Sequence, residues 1–501
     1  MRDLVELAGG QEGEFLQEFL PVLVGAEGVV HRENMIRQTP DQSEPMDPVE
    51  RPPEEIASAA IPVWHYHLLL GEREMKAFWH AHGRWLLVLA LLAVLPYLPL
   101  FSHPLLQDDY PNIEQARQYG PVSNWLSMVS DPVFRYRATS WLLTYWIDRY
   151  VGLIPLAFYA VSIGLHVANT WLVYALGTWK AIGWQISAAA AGFFAVAEGH
   201  QEAIMWYSAS NELLLFFFAA LTLLLWICFV QDPKQFYWYP ASVCCFVLAL
   251  LSKESAVILV PLLGLPLLSS PIQYRRLLLL LPYAALAAGD VWLIFASQTQ
   301  SFRFSDGSFS LHAPFWITLP MSLARLLWPW GLLALVAVLL CRAKDQQQRV
   351  VISTLWMAIA LVPYSFLTYM THVPSRQTYL ASLGLAWIVG AGFLALRTAA
   401  GPARRLAVMA LVLVVIFTNV GYLWTRKRSQ FLERAAPTEA LVSVAQKTEG
   451  RVYVRCYPDA RIVAEAAIRL RTGKPASILI WPGEPSAYDE DATEFCWKNP
   501  S

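Results

Sequence analysis

Hydrophobic and polar positions in this chain are grouped in long blocks. From about residue 85 to residue 424, apolar runs follow one another, each separated from the next by a few polar residues or a proline. A helix rising 1.5 Å per residue needs about 20 apolar residues to cross the ~30 Å hydrocarbon layer of a bilayer. Eleven runs approach that length, at 85–101, 155–178, 183–198, 210–230, 238–252, 255–272, 277–296, 325–341, 350–368, 378–396 and 405–424. They predict an all-α polytopic membrane protein with about 11 transmembrane helices.

Two stretches break the pattern. Residues 1–74 are polar and rich in Glu and Pro, and they lack the layout of a signal peptide. They read as a weakly ordered arm with one short amphipathic helix at 14–23. Met75 stands directly before the first apolar run, so an upstream mis-start is the other explanation of the arm. Residues 425–501 alternate helix-like and strand-like pieces, PTEALVSVAQKTEG, RVYVRCYP, DARIVAEAAIRLRTG and SILIWP. That alternation predicts a small C-terminal α/β subdomain. Between these ends lies a membrane domain, 75–424, whose longest loop is 102–154. Within that loop, ATSWLLTYWIDRYVG (138–152) predicts an amphipathic helix lying in the interface, with Trp141, Trp146 and Tyr150 at headgroup level.

Composition agrees with a membrane setting. The 501 residues are 56% hydrophobic and 15% charged, against roughly 25% charged in soluble proteins. Membrane lipids are the expected surroundings. The net charge of -1 and the lack of a basic block argue against nucleic acid as a partner.

Orientation follows from the short loops. If Arg73, Lys76 and Arg84 are cytoplasmic, strict alternation puts Lys180, Lys234, Arg275, Arg276, Arg342, Lys344, Arg349, Arg397, Arg404 and Arg405 on the same side. The outer side then holds 102–154, 199–209, 297–324, 369–377 and the tail. TRKRSQ (425–430) is the exception to the charge rule, and the tail changes side if the weak segment 183–198 does not span. Cys456 and Cys496 in the tail can pair if it faces an oxidising compartment. Cys228, Cys244, Cys245 and Cys341 lie in or beside apolar runs, where cysteine acts as a small hydrophobe.

Polar groups gather on that outer side. Asp108 and Asp109 follow the first run, and Arg135 and Arg137 lie on the same loop. His200, Glu202, Asn211 and Glu212 bracket a second loop, Lys253 and Glu254 a hairpin, and His372 and Arg376 precede the tenth run. Charge at bilayer depth costs at least ~2.5 kcal/mol, so such clustering needs a cause. Each group also has a plain reading. A carboxylate pair outside a helix is often a solvated cap, Lys253 can snorkel to headgroups, and His166 suits a core histidine with satisfied hydrogen bonds. His200 and Glu202, two residues apart, do not share a helix face as metal ligands would.

The order of the motifs is more telling. DDY, YRAT, GLIPLAFYAVSIGLHVANTWLVYAL, AEGHQEAIMWYSASNELL, LLSKESAVILVPLL and SRQTYLASLGLAW follow in that succession. The series resembles the multi-pass part of the transmembrane and tetratricopeptide-repeat O-mannosyltransferases and their bacterial relatives. Those are GT-C superfamily glycosyltransferases that use polyprenyl-phosphate sugars. The likeness runs from about residue 85 to 396, and the downstream repeats are missing. Asp108 and Asp109 match the family's acidic pair, one of which is expected to be the catalytic base. Tyr136 and Arg137 match its Tyr-Arg-Pro, with Ala138 in place of proline. His200 and Glu202 match the end of His-Pro-x-His-x-Glu, with Ala197 and Glu198 where the first His and Pro would stand. Lys253 and Glu254 match Ser-Lys-Glu, and Arg376, Tyr379 and Ser382 match Arg-x-x-Tyr-x-x-Ser.

The resemblance implies transfer of a sugar from a polyprenyl-phosphate donor to a hydroxyl of protein Ser/Thr or of a cell-surface glycan or lipid, with inversion. Asp108 would be the base and Asp109 its support. Arg137, Lys253 and Arg376 would bind the donor phosphate, while Tyr136, His200, Glu202, Glu212, Glu254 and Tyr379 would line or brace the site. The expected location is a bacterial inner membrane, with the site on the periplasmic or extracellular side. No cofactor beyond the lipid-linked sugar is implied, and a divalent metal is left open. Acceptor choice would rest on the tail and on the 297–324 loop with Arg303, Asp306 and His312. A catalytically inactive scaffold of the same fold, and a transporter or flippase of lipid-linked glycans, are the other classes that fit parts of the pattern.

Overall fold

A computed structural model describes residues 72–121, 131–268, 274–297, 309–368, 373–398, 401–483 and 492–498. Packing divides the chain into two units, 1–81 and 82–501, and the second carries the helical body and the tail. The helix expected at 14–23, and Arg303, Asp306 and His372, lie outside the described residues.

Among the described residues the apolar segments are helical, but not every one of the eleven has the length of a full span. Among the described residues, six helices are long and apolar enough to cross a membrane: His82–Ser102, Pro155–Thr178, Tyr207–Gln231, Leu278–Ala296, Lys344–Phe366 and Leu406–Lys447. The chain is therefore an integral membrane protein. Trp184–Val196, Trp238–Leu250, Glu254–Leu267 and Ser382–Thr398 are apolar but have only 10–17 residues. The single span expected at 325–341 is two helices, Phe315–Leu327 and Trp330–Leu340, bent by 75°. Pro329 lacks the N–H a continuous helix needs and disfavours helical geometry at Trp328. Apolar content showed where helices run but not where they stop.

One of the short helices lies deep in the body. Ser382–Thr398 packs between Trp184–Val196, Trp330–Leu340 and Lys344–Leu361, and most of its residues are buried. Its glycines permit this. A Cβ on Gly390 would stand 2.5 Å from the Ile186 carbonyl oxygen, so only glycine lets the two backbones approach so closely. Buried indoles bond between helices, Trp226 to the Leu263 carbonyl at 2.9 Å and Trp356 to the Leu380 carbonyl at 2.9 Å.

The last helix does not stop at the membrane. Pro402–Tyr422 passes through one π turn, Leu423–Lys427, into Arg428–Lys447. The tail beyond it is the expected α/β unit. Its strands are β1 (Val452–Cys456), β2 (Leu479–Ile480) and β3 (Thr493–Cys496), all parallel in the order β2-β1-β3, with helix Arg461–Thr472 between β1 and β2. A disulfide joins Cys456 to Cys496.

This unit rests on the helix Asp109–Tyr119 of the first long loop. Arg469 grips Glu114 through two bonds of 2.5 and 2.7 Å, and Arg471 reaches both Tyr110 and Glu439. Tail and loop thus share one side of the helical body. The helix expected at 138–152 is present as Ala138–Val151. Tyr150 is 79% exposed, but Trp141 is only 7% exposed and packs on Ala116, Phe134 and Ala138. Trp141 is therefore a core residue of the loop and not a headgroup anchor, because the loop folds back on itself.

Candidate active site

The acidic pair divides into two environments. The chain leaves its first span through the 3-10 turn Leu95–Ser102 and turns at Gln107, whose φ is +21°. Asp109 then opens the helix Asp109–Tyr119 and is fully buried. One of its oxygens accepts the Leu106 N–H at 2.8 Å, and the other accepts both the N–H and the hydroxyl of Ser208 at 2.7 Å. Burial raises its pKa to about 7, against the pull of those bonds. Asp108 is exposed, and among the described residues its carboxylate makes no hydrogen bond. Protein around its recess raises its pKa, and the guanidiniums of Arg376 and Arg434 oppose that rise.

Those two arginines share one platform. The Arg376 guanidinium lies 4.8 Å from the ring centre of Trp206, and that of Arg434 lies 4.4 Å from it. Glu202 accepts the backbone N–H of Arg376 at 3.2 Å, which fixes the turn that carries this arginine. Arg434 comes from the extended last helix and donates to Gln107 at 2.8 Å. Gln107 in turn donates to Asp459 of the tail. Neither Arg434, Trp206, Gln107 nor Asp459 was legible as a site residue in the sequence. Trp206 lay within one of the ordered motifs, but Arg434 reaches the site only because a helix continues past the membrane.

A second polar cluster begins four residues beyond Ser208. Glu212 and Lys253 form an ion pair in which each side chain is 3% exposed. Tyr364 donates to Glu212 at 3.3 Å, meets the Ser255 hydroxyl at 2.8 Å, and offers its ring to Lys253 at 4.7 Å. The ammonium expected to meet a phosphate is thus matched by a buried carboxylate. Arg137 is half-buried and binds Glu254 at 2.8 Å and the Tyr136 carbonyl at 2.8 Å. The Tyr136 hydroxyl accepts from Arg135 at 3.0 Å.

His200 and Tyr379 belong to the protein core. The His200 ring bonds Ser382 at 2.8 Å and packs on Phe194 and Tyr379. The Tyr379 hydroxyl meets His166 at 2.7 Å, and the other nitrogen of His166 meets the Ala195 carbonyl at 3.1 Å. His166 is the satisfied core histidine that the sequence suggested. Among the described residues, no three His, Cys, Asp or Glu side chains stand close enough to hold a metal ion.

Solved structures give this arrangement a fold class. ArnT from Cupriavidus metallidurans, in a crystal structure bound to undecaprenyl phosphate, superposes with a TM-score of 0.50 at 13% identity, over 83% of this chain and 90% of that one. The oligosaccharyltransferase AglB from Archaeoglobus fulgidus, with an inhibitory peptide and a dolichol-phosphate, gives 0.46 at 13% identity, over 80% of this chain. This chain spans 64% of the length of that archaeal protein. The chain therefore shares the overall fold of the Cupriavidus metallidurans protein. No family model and no curated protein sequence matches the chain.

Proposed function

We propose that this protein is a glycosyltransferase that moves a sugar from a polyprenyl-phosphate donor to an acceptor hydroxyl at the outer membrane face. The observation that carries this reading is the open carboxylate of Asp108, flanked by Arg376 and Arg434 on the Trp206 ring. The GT-C resemblance of the sequence and a structural neighbour bound to undecaprenyl phosphate support it.

The chemistry follows from the donor. A sugar on a phosphate already has a good leaving group, so the site needs a base and cations, not a general acid. The acceptor oxygen attacks the anomeric carbon, its proton passes to Asp108, and the bond from that carbon to the phosphate oxygen breaks. The departing polyprenyl phosphate gains negative charge beside Arg376 and Arg434. A single displacement inverts the anomeric centre. Asp109 holds the turn that aims Asp108, and Glu202 does the same for Arg376. Arg137, half-exposed on the neighbouring loop, adds positive charge for the carrier, whereas Lys253 braces Glu212.

We place the site on the periplasmic or extracellular side of a bacterial inner membrane. The tail disulfide supports this, because such bonds persist in oxidising compartments and the tail lies against the loop that carries Asp108. The direct test offers purified protein a labelled polyprenyl-phosphate hexose together with membrane extract. The wild type gives labelled product, while Asp108→Asn binds donor and gives none. Full transfer by that variant removes Asp108 from the mechanism.

A further inference from the structure

The tail holds a cavity of about 460 Å3 outside the Asp108 site. Its size lies within the ~300–1,000 Å3 of small-molecule sites. It opens at the carboxyl ends of the three parallel strands, and its wall has a simple rule. Tyr457, Trp481 and Trp497 each directly follow the last residue of β1, β2 and β3, and all three line the cavity. In open parallel sheets, ligands bind in the crevice outside such carboxyl ends.

The aromatic wall is held in place. The disulfide ties together Cys456 and Cys496, the residues immediately before Tyr457 and Trp497. The Trp497 N–H also donates to the Cys456 carbonyl at 3.0 Å. The Tyr457 hydroxyl meets Thr438 at 2.7 Å, and its ring meets that of Trp481 edge-on with centres 6.3 Å apart. Arg461 lies over the Trp481 ring at 5.4 Å, and the exposed Arg455, which also lines the cavity, pairs with Glu494 at 3.1 Å.

We propose that this crevice binds a sugar unit of the acceptor, which makes the acceptor a carbohydrate, either a glycan chain or a glycolipid headgroup. The proposal rests on the glycosyl-transfer reading of the Asp108 site. The face of a pyranose ring presents weakly positive C–H groups that pack on the negative face of an aromatic ring, while its hydroxyls require fixed polar partners. Tyr457, Trp481 and Trp497 offer the faces, and Arg455, one of whose N–H groups is taken by Glu494, offers its remaining donors. The position fits an acceptor site. Two residues beyond Tyr457, Asp459 accepts a hydrogen bond from Gln107, the residue before Asp108. A glycan seated in the crevice therefore has its end close to the proposed base.

The experiment uses the full chain in lipid nanodiscs, free of sugar-based detergents. Saturation-transfer NMR is recorded with maltotetraose, cellotetraose and mannotetraose, and with a Ser/Thr-containing hexapeptide. At least one tetrasaccharide gives transfer, which falls at least five-fold in Trp481→Ala and Trp497→Ala, while Trp481→Phe keeps most of it and shows that the tail is folded. Opening the disulfide by Cys456→Ser with Cys496→Ser weakens the same signal. No transfer to any tetrasaccharide, transfer unchanged in both alanine variants, or binding of the peptide alone overturns the proposal. Because this readout needs no turnover, tetrasaccharide binding that survives while Asp108→Asn keeps full transfer would count against the proposed base and not against the crevice.

Discussion

The turn at 206–212 joins two clusters of charge that are built in opposite ways. On one side Trp206 carries Arg376 and Arg434 beside the exposed carboxylate of Asp108. On the other, Glu212 and Lys253 neutralise each other out of contact with solvent, with Tyr364 closing the pair. The open cluster keeps charge available to a ligand and gains little stability from it. The closed cluster uses its charge internally, and the protein depends on its staying paired. Sequence motifs present both as site residues, but only geometry separates a group that can react from one that holds the frame.

The largest effect should come from the open side. Asp108→Asn should lower kcat by ~10²–10⁴, the usual contribution of a general base, with thermal stability unchanged. A drop in stability instead would move Asp108 to the structural side. Lys253→Ala should do the reverse, costing about 3–5 kcal/mol by leaving the Glu212 carboxylate buried and unmatched. Denaturation in nanodiscs measures it. Replacing both partners, Lys253→Met with Glu212→Leu, should recover most of that loss.

Two pH effects come next. Transfer requires ionised Asp108, so the rate should rise with pH through a pKa above the ordinary carboxylate value, raised by the desolvating protein around its recess. Arg434→Ala removes a cation that favours the ionised form, so it should shift that limb to still higher pH. Asp109 bears on stability. Its folded pKa of about 7 exceeds its unfolded value of 3.8, so the fold binds a proton that the unfolded chain has released. Stability should be fullest below the lower value, fall as pH rises between the two, and level off above about 7. Asp109→Asn should flatten that slope. The smallest effect on stability belongs to the exposed Arg455–Glu494 pair, where Arg455→Ala should cost no more than ~1 kcal/mol.

Much of the fold was legible because bilayer helices announce themselves by apolar length. The tail could be read from its alternation, and β1, β2 and the helix between them lie within its helix-like and strand-like pieces. What escaped were the ends of helices and the contacts between distant parts of the chain. The break at Pro329 was visible as a proline, but it lay inside a run that hydropathy averages over. Arg434 carried no signal, since a polar residue on a tail helix looks like any solvated arginine until that helix is seen to continue the last span. Lys253 misled for the opposite reason, because a motif lysine shows its charge and not the Glu212 carboxylate 41 positions away that neutralises it.

The most direct test titrates undecaprenyl phosphate into the protein in nanodiscs and compares Arg434→Ala with the Lys253→Met and Glu212→Leu double variant. If the carrier phosphate sits on the Trp206 platform, Arg434→Ala weakens binding about ten-fold, the contribution of a hydrogen bond to a charged group, and the double variant binds like the wild type. Wild-type affinity in Arg434→Ala, together with lost affinity in the double variant, would place the phosphate at Lys253 instead.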